Sequence, residues 1–221
     1  MSPRAEFQLA VTLREGGSAP IGEVFQFLSG LYFRGKLAYG RAFARPPREL
    51  PSGVFVITAG AGLREADTPI TAEAIRAFAC VDIDAANAAY RRPLERTAQW
   101  ISDEAGDELE VVLLGSIASG KYVDVLSGIF GERLVFPPAF VGRGDMSRGG
   151  LMLRAAASGE ELEYAPVAGA IRHGVRPPKL DPATRVGAMR ATLMPAALKR
   201  KLVTQRVRTA KKAKKKMGRK R

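Results

Sequence analysis

No acidic residue follows Asp181, and 13 of the chain's 35 Lys and Arg fall in residues 199 to 221. A segment of that composition repels itself and offers no apolar stripe for burial, so it cannot contribute to a packed core. The division expected is a folded domain over 1–180 and a basic tail over 181–221. The tail is expected to be largely disordered when free, with a short helix near 193–202. The Arg176-Pro-Pro-Lys-Leu-Asp-Pro182 stretch marks the boundary. The net charge of +13 is therefore local, because the 198 residues before the basic block balance 22 basic against 22 acidic side chains.

Lys211, Lys212, Lys214, Lys215, Lys216, Arg219, Lys220 and Arg221 suit a polyanion. Neutralising phosphates releases condensed counterions and needs no base-specific geometry. DNA or RNA is the expected partner of this tail, and a solubilising role is the plainer alternative. A membrane is not expected as partner, because no aromatic or acyl anchor stands beside the charges and no apolar run nears the roughly 20 residues of a bilayer span. The first fifteen residues mix charged with apolar side chains, unlike an export signal. One cysteine, Cys80, excludes an internal disulfide, so a reducing, cytoplasmic location is expected. One histidine, His173, leaves no multi-histidine metal set, and no metal or cofactor is expected.

Hydrophobic residues make up 46% of the chain, enough for one well-buried domain. Phe7, Leu9, Val11 and Leu13 alternate with smaller or polar residues, which predicts a first strand. Ile21, Val24, Phe25, Leu28, Leu31 and Tyr32 follow helical spacing up to Pro46-Pro47, with Gly30 and Gly35 as interruptions, so one long or two short helices are predicted. Val54–Thr58 predicts a buried strand opening into the Ala59-Gly-Ala-Gly62 loop. Thr71 predicts a helix cap, and Ala85–Ala105 a helix bent at Pro93. Glu110–Gly115 predicts an inner parallel strand buried on both faces. Ser119 opens a helix that Gly131 closes, Leu134–Phe136 is a short strand, and Ser147 caps a further helix. Leu162–Val167 is an edge strand, since Pro166 would interrupt a central one. Trp100 and Phe130 read as core. Strands alternating with helices predict an α/β fold with a mainly parallel three-layer sheet and helices on both faces.

Two segments carry candidate chemistry. Gly115-Ser-Ile-Ala-Ser-Gly-Lys121 has the spacing G-x-x-x-x-G-K, placed after a strand and before a helix. In a phosphate-binding loop the residue after the lysine is a Ser or Thr that ligates magnesium, whereas here it is Tyr122, so a P-loop-like NTPase is the least favoured reading. The weaker expectation is that Gly115, Ser116, Ser119, Gly120 and Lys121 form a phosphate- or carboxylate-binding loop at a helix N-terminus. A tight turn with Lys121 exposed is the plain alternative. The second segment, Gly142-Arg-Gly-Asp-Met-Ser-Arg-Gly-Gly150, packs three charges and four glycines into nine residues. Arg143 and Arg148 can make bidentate contacts to phosphate or a base edge, and Asp145 can act as general base. An internal ion pair that pins the loop is the alternative. If their strands are parallel, the loops after Thr58, Leu114 and Phe136 open on one crevice.

Leu31-Tyr32 through Ala38-Tyr39-Gly40, then Val54-Phe-Val-Ile-Thr-Ala-Gly-Ala-Gly-Leu63, then Gly120-Lys-Tyr-Val-Asp-Val-Leu126, are together similar in order to a group of small uncharacterised bacterial α/β domains. These resemble, in architecture, domains associated with nucleobase modification and N-glycosyl chemistry. The resemblance covers residues 25 to 155 and does not extend to the Arg143–Arg148 loop. It implies a pocket for a base beside a carboxylate, for which Asp145 is the candidate. The leading expectation is a nucleic-acid-associated protein that binds a nucleotide, nucleobase or phosphate group, with N-glycosidase or transferase chemistry. Its rival is a non-catalytic DNA- or RNA-binding accessory factor.

Overall fold

The computed structural model describes residues 6–118, 120–178 and 180. The basic tail, its expected short helix and Ser119 lie outside the described residues.

Helix α1 spans Gln8–Arg14, where alternation predicted a strand. Its buried residues, Ala10 and Leu13, stand three apart, so the same side chains meet the helical period and present one apolar stripe. β1 (Ser18–Pro20) leads into α2 (Ile21–Phe43), which is bent by Gly30 at φ 62° and ψ −137°. That positive φ favours glycine, and it breaks the segment into two helices that meet at a kink, the second of the two forms expected. β2 (Phe55–Ile57) pairs antiparallel with β3 (Leu63–Glu65). The Val54–Thr58 run therefore belongs to a hairpin rather than a parallel layer, and the glycine-rich segment after it is the hairpin's turn. β4 (Pro69–Thr71) pairs antiparallel with β1.

α3 (Ala72–Ala79) starts where predicted, with the Ala74 N–H donating to Thr71 Oγ1 at 3.3 Å. α4 (Ala88–Ala105) is capped by Asn87, whose Oδ1 accepts from the Ala89 N–H at 3.0 Å, and it carries Pro93 inside. Trp100 stands on its outer side at 41% exposure while Ile101 points inward, so the expectation of a core tryptophan does not hold. β5 (Val111–Val112), α5 (Gly120–Phe130) and β6 (Leu134–Phe136) form the one strand, helix, parallel-strand unit among the described residues. β5 is a two-residue edge strand with half-buried side chains, not an inner strand. α6 (Asp145–Ser158) begins at Gly144 rather than at Ser147. β7 (Ala165–Pro166) closes the sheet as the expected edge, antiparallel to β6.

Helices account for about half of the described residues, and the strands form two pairs and one three-stranded sheet, which overturns the three-layer parallel sheet. Alternating element types predict such a sheet only if each strand pairs with the one after the next helix. Here β1, β2 and β4 find antiparallel partners instead. Three apolar clusters result. One joins α4, α5 and β6, another joins α1, both halves of α2, the β1/β4 pair and Val56 of β2, and a third joins Tyr39 of α2 to Phe140, Met152 and Ala155. Among the described residues no helix is long and apolar enough to cross a membrane.

Candidate functional site

A cleft of about 1000 Å³ opens between the second half of α2, the β2–β3 hairpin, α4 and β5. Its walls include Phe33, Leu37, Phe55, Ile57, Leu113 and Leu126, and its polar lining residues include Lys36, Thr58, Tyr39, Tyr90, Tyr122 and Tyr164 together with the charged Arg45, Glu108, Glu110 and Glu161. An apolar hollow with a small number of convergent polar groups is the usual form of a small-molecule site.

Two of these groups are unusual. Tyr90 is fully buried, and its hydroxyl makes no hydrogen bond among the described residues. Burial, followed by the nearby Tyr122, pushes its pKa up to about 12. A buried hydroxyl left without a partner costs about 1–3 kcal/mol, which sets Tyr90 apart from the other tyrosines of the cleft lining. Lys36 is the second. Its Nζ sits 4.2 Å from the centroid of the Tyr32 ring, one helical turn earlier. Burial lowers its pKa to about 8, with Asp145 acting to raise it and Arg148 to lower it.

Around Lys36 a polar corner is assembled from three helices. From α2 comes Tyr32, whose buried hydroxyl lacks a well-formed hydrogen bond and whose pKa burial pushes up to about 12. The Arg148 guanidinium lies near enough to favour the Tyr32 anion and offset part of that burial. From α6 come Asp145 and Arg148, paired at 3.5 Å, with the Arg148 side chain only 11% exposed and that of Asp145 69% exposed. From the start of α5 comes Tyr122, which feels both of these charges. The two sequence segments that carried candidate chemistry thus lie within electrostatic reach of one another.

Their individual residues fare differently. Gly115 lines the cleft, but the space beside it belongs to Tyr122, whose hydroxyl donates to the Ser116 carbonyl at 2.8 Å. The loop is wrapped around its own tyrosine. Gly120 opens α5 with the Asp124 carboxylate turned against it, and Asp124 also pairs with Arg172 at 3.7 Å. A carboxylate folded back against the first residue of the helix supplies the negative charge that a bound phosphate would bring. Lys121 is exposed and does not line the cleft. Arg143 donates through Nε to the Ala139 carbonyl at 2.9 Å and through a terminal nitrogen to Ser147 Oγ at 3.2 Å, which pins the loop. Arg148 donates through Nε to the Phe140 carbonyl at 3.1 Å. Neither arginine, nor Asp145, lines the cleft itself.

Of the three loops expected at one crevice, those after β5 and β6 follow parallel strands of one sheet, whereas the loop after Thr58 is a self-contained turn. There the Thr58 hydroxyl donates to the Gly62 carbonyl at 2.8 Å and accepts from the Ala61 N–H at 3.0 Å. Gly62, at φ 69°, packs directly on Pro93 and Thr97 of α4, so this glycine serves packing between elements rather than ligand approach.

Lys36, Tyr32 and Tyr90 were not among the residues that sequence reasoning selected. The signal for Lys36 was a charge that stands, with Arg34, among Leu31, Tyr32, Phe33, Leu37 and Tyr39 on a helix segment otherwise built for burial. Tyr90 carried no such signal, because a buried tyrosine ordinarily has a partner. Among the described residues no three of His, Cys, Asp and Glu gather closely enough to hold a metal. Compared with protein-family models, with curated proteins and with solved structures, the chain matches none.

Proposed function

We propose that this chain is a nucleic-acid-associated protein whose folded part binds a nucleotide or nucleobase in the cleft beside Lys36. The observation that carries this reading is a cleft of about 1000 Å³ with apolar walls, lined by Lys36 and by Tyr90, whose hydroxyl is buried and unpartnered, with Arg45, Glu108, Glu110 and Glu161 also in its lining. Flat apolar walls suit a base, a lone hydroxyl suits its polar edge, and a cation suits a phosphate. Support for the nucleic-acid link comes from the basic tail, which can hold a polyanion near the fold without reading its sequence. The resemblance over residues 25 to 155 adds N-glycosidase or transferase chemistry as the reaction class. Asp145, the carboxylate expected for it, stands outside the cleft and bears on Lys36, Tyr32 and Tyr122 only through its charge, whereas Glu108, Glu110 and Glu161 are the carboxylates in the cleft lining.

The test is equilibrium binding of a free base, its nucleoside and its nucleoside monophosphate to the full chain. The monophosphate is expected to bind best. Lys36→Met is expected to remove about tenfold of the advantage of monophosphate over nucleoside, an amount typical of one charge-assisted contact. Tyr90→Phe is expected to weaken all three ligands. Absence of binding by all three at millimolar concentration would refute the reading.

A second reading, a non-catalytic DNA- or RNA-binding accessory factor, is favoured by one observation. Arg143 and Arg148 direct their Nε groups to backbone carbonyls of their own loop, as structural pins do. Binding of long nucleic acid without binding of any mononucleotide would select this alternative.

A further inference from the structure

We propose that the Lys36 amine is a nucleophile, and that it condenses with the aldehyde of a ring-opened sugar held in the cleft to form an imine. The inference rests on the reading of the cleft as a nucleotide site and names the class of carbonyl it takes. That carbonyl is the C1 aldehyde exposed when an N-glycosyl bond has been cleaved.

Four observations converge on this residue. Lys36 lines the cleft, so a bound sugar can reach it. Its amine lies 4.2 Å from the centroid of the Tyr32 ring and, among the described residues, makes neither a hydrogen bond nor an ion pair. The charged groups that bear on it come from α6: Asp145 is turned to Arg148 at 3.5 Å, and Arg148 opposes a positive charge on the amine. Finally, the amine sheds its proton near pH 8, so a useful fraction is the free base at neutral pH. A bound phosphate holds the proton on this amine, whereas an aldehyde takes its free base, and desolvation beside another cation makes that free base reachable.

The step balances as follows. The lone pair of Nζ attacks the carbonyl carbon, and the oxygen takes up a proton to give a carbinolamine. The carbon–oxygen bond then breaks, the oxygen leaves as water with the two amine hydrogens, and a carbon–nitrogen double bond remains. No oxidant, reductant or metal is required. Lys121, the lysine that the sequence motif favours, is exposed and lies outside the cleft, and it has no part in this step.

The experiment incubates the full chain with a single-stranded oligonucleotide bearing one abasic deoxyribose, in the presence of cyanoborohydride. That reagent reduces an imine to a stable secondary amine. Binding of a nucleoside monophosphate is measured alongside, and the adduct is mapped by peptide mass. The expected result is an adduct on Lys36. Its yield is expected to fall about tenfold or more in Lys36→Arg, which keeps the charge but not the nucleophile. Lys121→Arg is expected to match the parent, and thermal melts of both variants check that they fold. An adduct confined to the tail lysines, or unchanged in a folded Lys36→Arg, overturns the inference. Monophosphate binding without a Lys36 adduct overturns the imine and leaves the nucleotide reading standing. Loss of both overturns the two together.

Discussion

Gly35 of α2 and Gly149 of α6 meet backbone to backbone: a methyl group on Gly35 would lie 2.6 Å from the Gly149 carbonyl oxygen, and one on Gly149 would lie 2.8 Å from that of Leu31. The crossing brings Tyr32 and Lys36, on either side of Gly35, against Asp145 and Arg148, just before Gly149. Close helix packing and the polar corner are one arrangement.

Alanine at either glycine must therefore push the helices apart. Gly149→Ala is expected to cost about 1–3 kcal/mol by overpacking, and to raise the pKa of Lys36 toward that of an ordinary lysine as water enters. Gly128→Ala, in α5 with open space around it, is the control and should stabilise by about 0.5–1 kcal/mol. Denaturant unfolding at constant m-value measures both.

The titration of Lys36 gives a second check. The midpoint of its side-chain NMR signal is expected near pH 8 instead of the ordinary 10.5. Asp145→Asn should lower it further, because the carboxylate helps to retain the proton. A depressed lysine pKa means that the unfolded chain binds more protons between pH 8 and 10.5, so stability rises across that window. Tyr32 and Tyr90, raised from 10.0 to about 12, act in the opposite sense, and stability falls as pH rises from 10 to 12. Lys36→Met should remove the rising limb and leave the falling one.

A hydroxyl chain ties α2 to the segment before β7. The Leu162 N–H donates to Tyr39 Oη at 2.9 Å, Tyr39 donates to Tyr164 Oη at 2.7 Å, and Tyr164 donates to Glu161 at 2.8 Å. Each hydroxyl has one proton, and this direction uses them all. Tyr39→Phe leaves a backbone N–H without its acceptor and is expected to cost about 1–3 kcal/mol. Tyr164→Phe leaves Glu161 its Arg45 partner at 3.2 Å and should cost less. Chemical denaturation of the two variants tests the order.

For the tail, the salt dependence of duplex DNA binding is diagnostic. If its eight clustered terminal charges engage phosphates, the slope of log K against log salt approaches roughly −7 for the full chain. It should be shallow for residues 1–180, which form a compact unit of their own. Equal slopes for the two proteins would remove the tail from the interaction.

Several elements were legible because their signals are local. The Thr71 cap, the helix through Pro93, the kinked Ile21–Phe43 rod and the Leu134–Phe136 strand each depend on residues within one or two turns. Phe7–Leu13 was misread because a seven-residue stretch of apolar residues at mixed spacing satisfies both periods, and only packing of Ala10 and Leu13 chooses between them. The G-x-x-x-x-G-K spacing was placed correctly between a strand and a helix. Its contents were not legible, because the Tyr122 hydroxyl folds back over six residues to fill the loop.

The sequence by itself determined where charge accumulates, where a core can form and where most helices begin and end, since those depend on composition and short-range sterics. Tertiary structure decided which strands pair and which polar groups share a corner. Strand partners are chosen across long chain separations by burial on both sides. The low pKa of Lys36 and the orphan hydroxyl of Tyr90 arise from neighbours that pack around them, and a linear chain does not contain those neighbours until it folds.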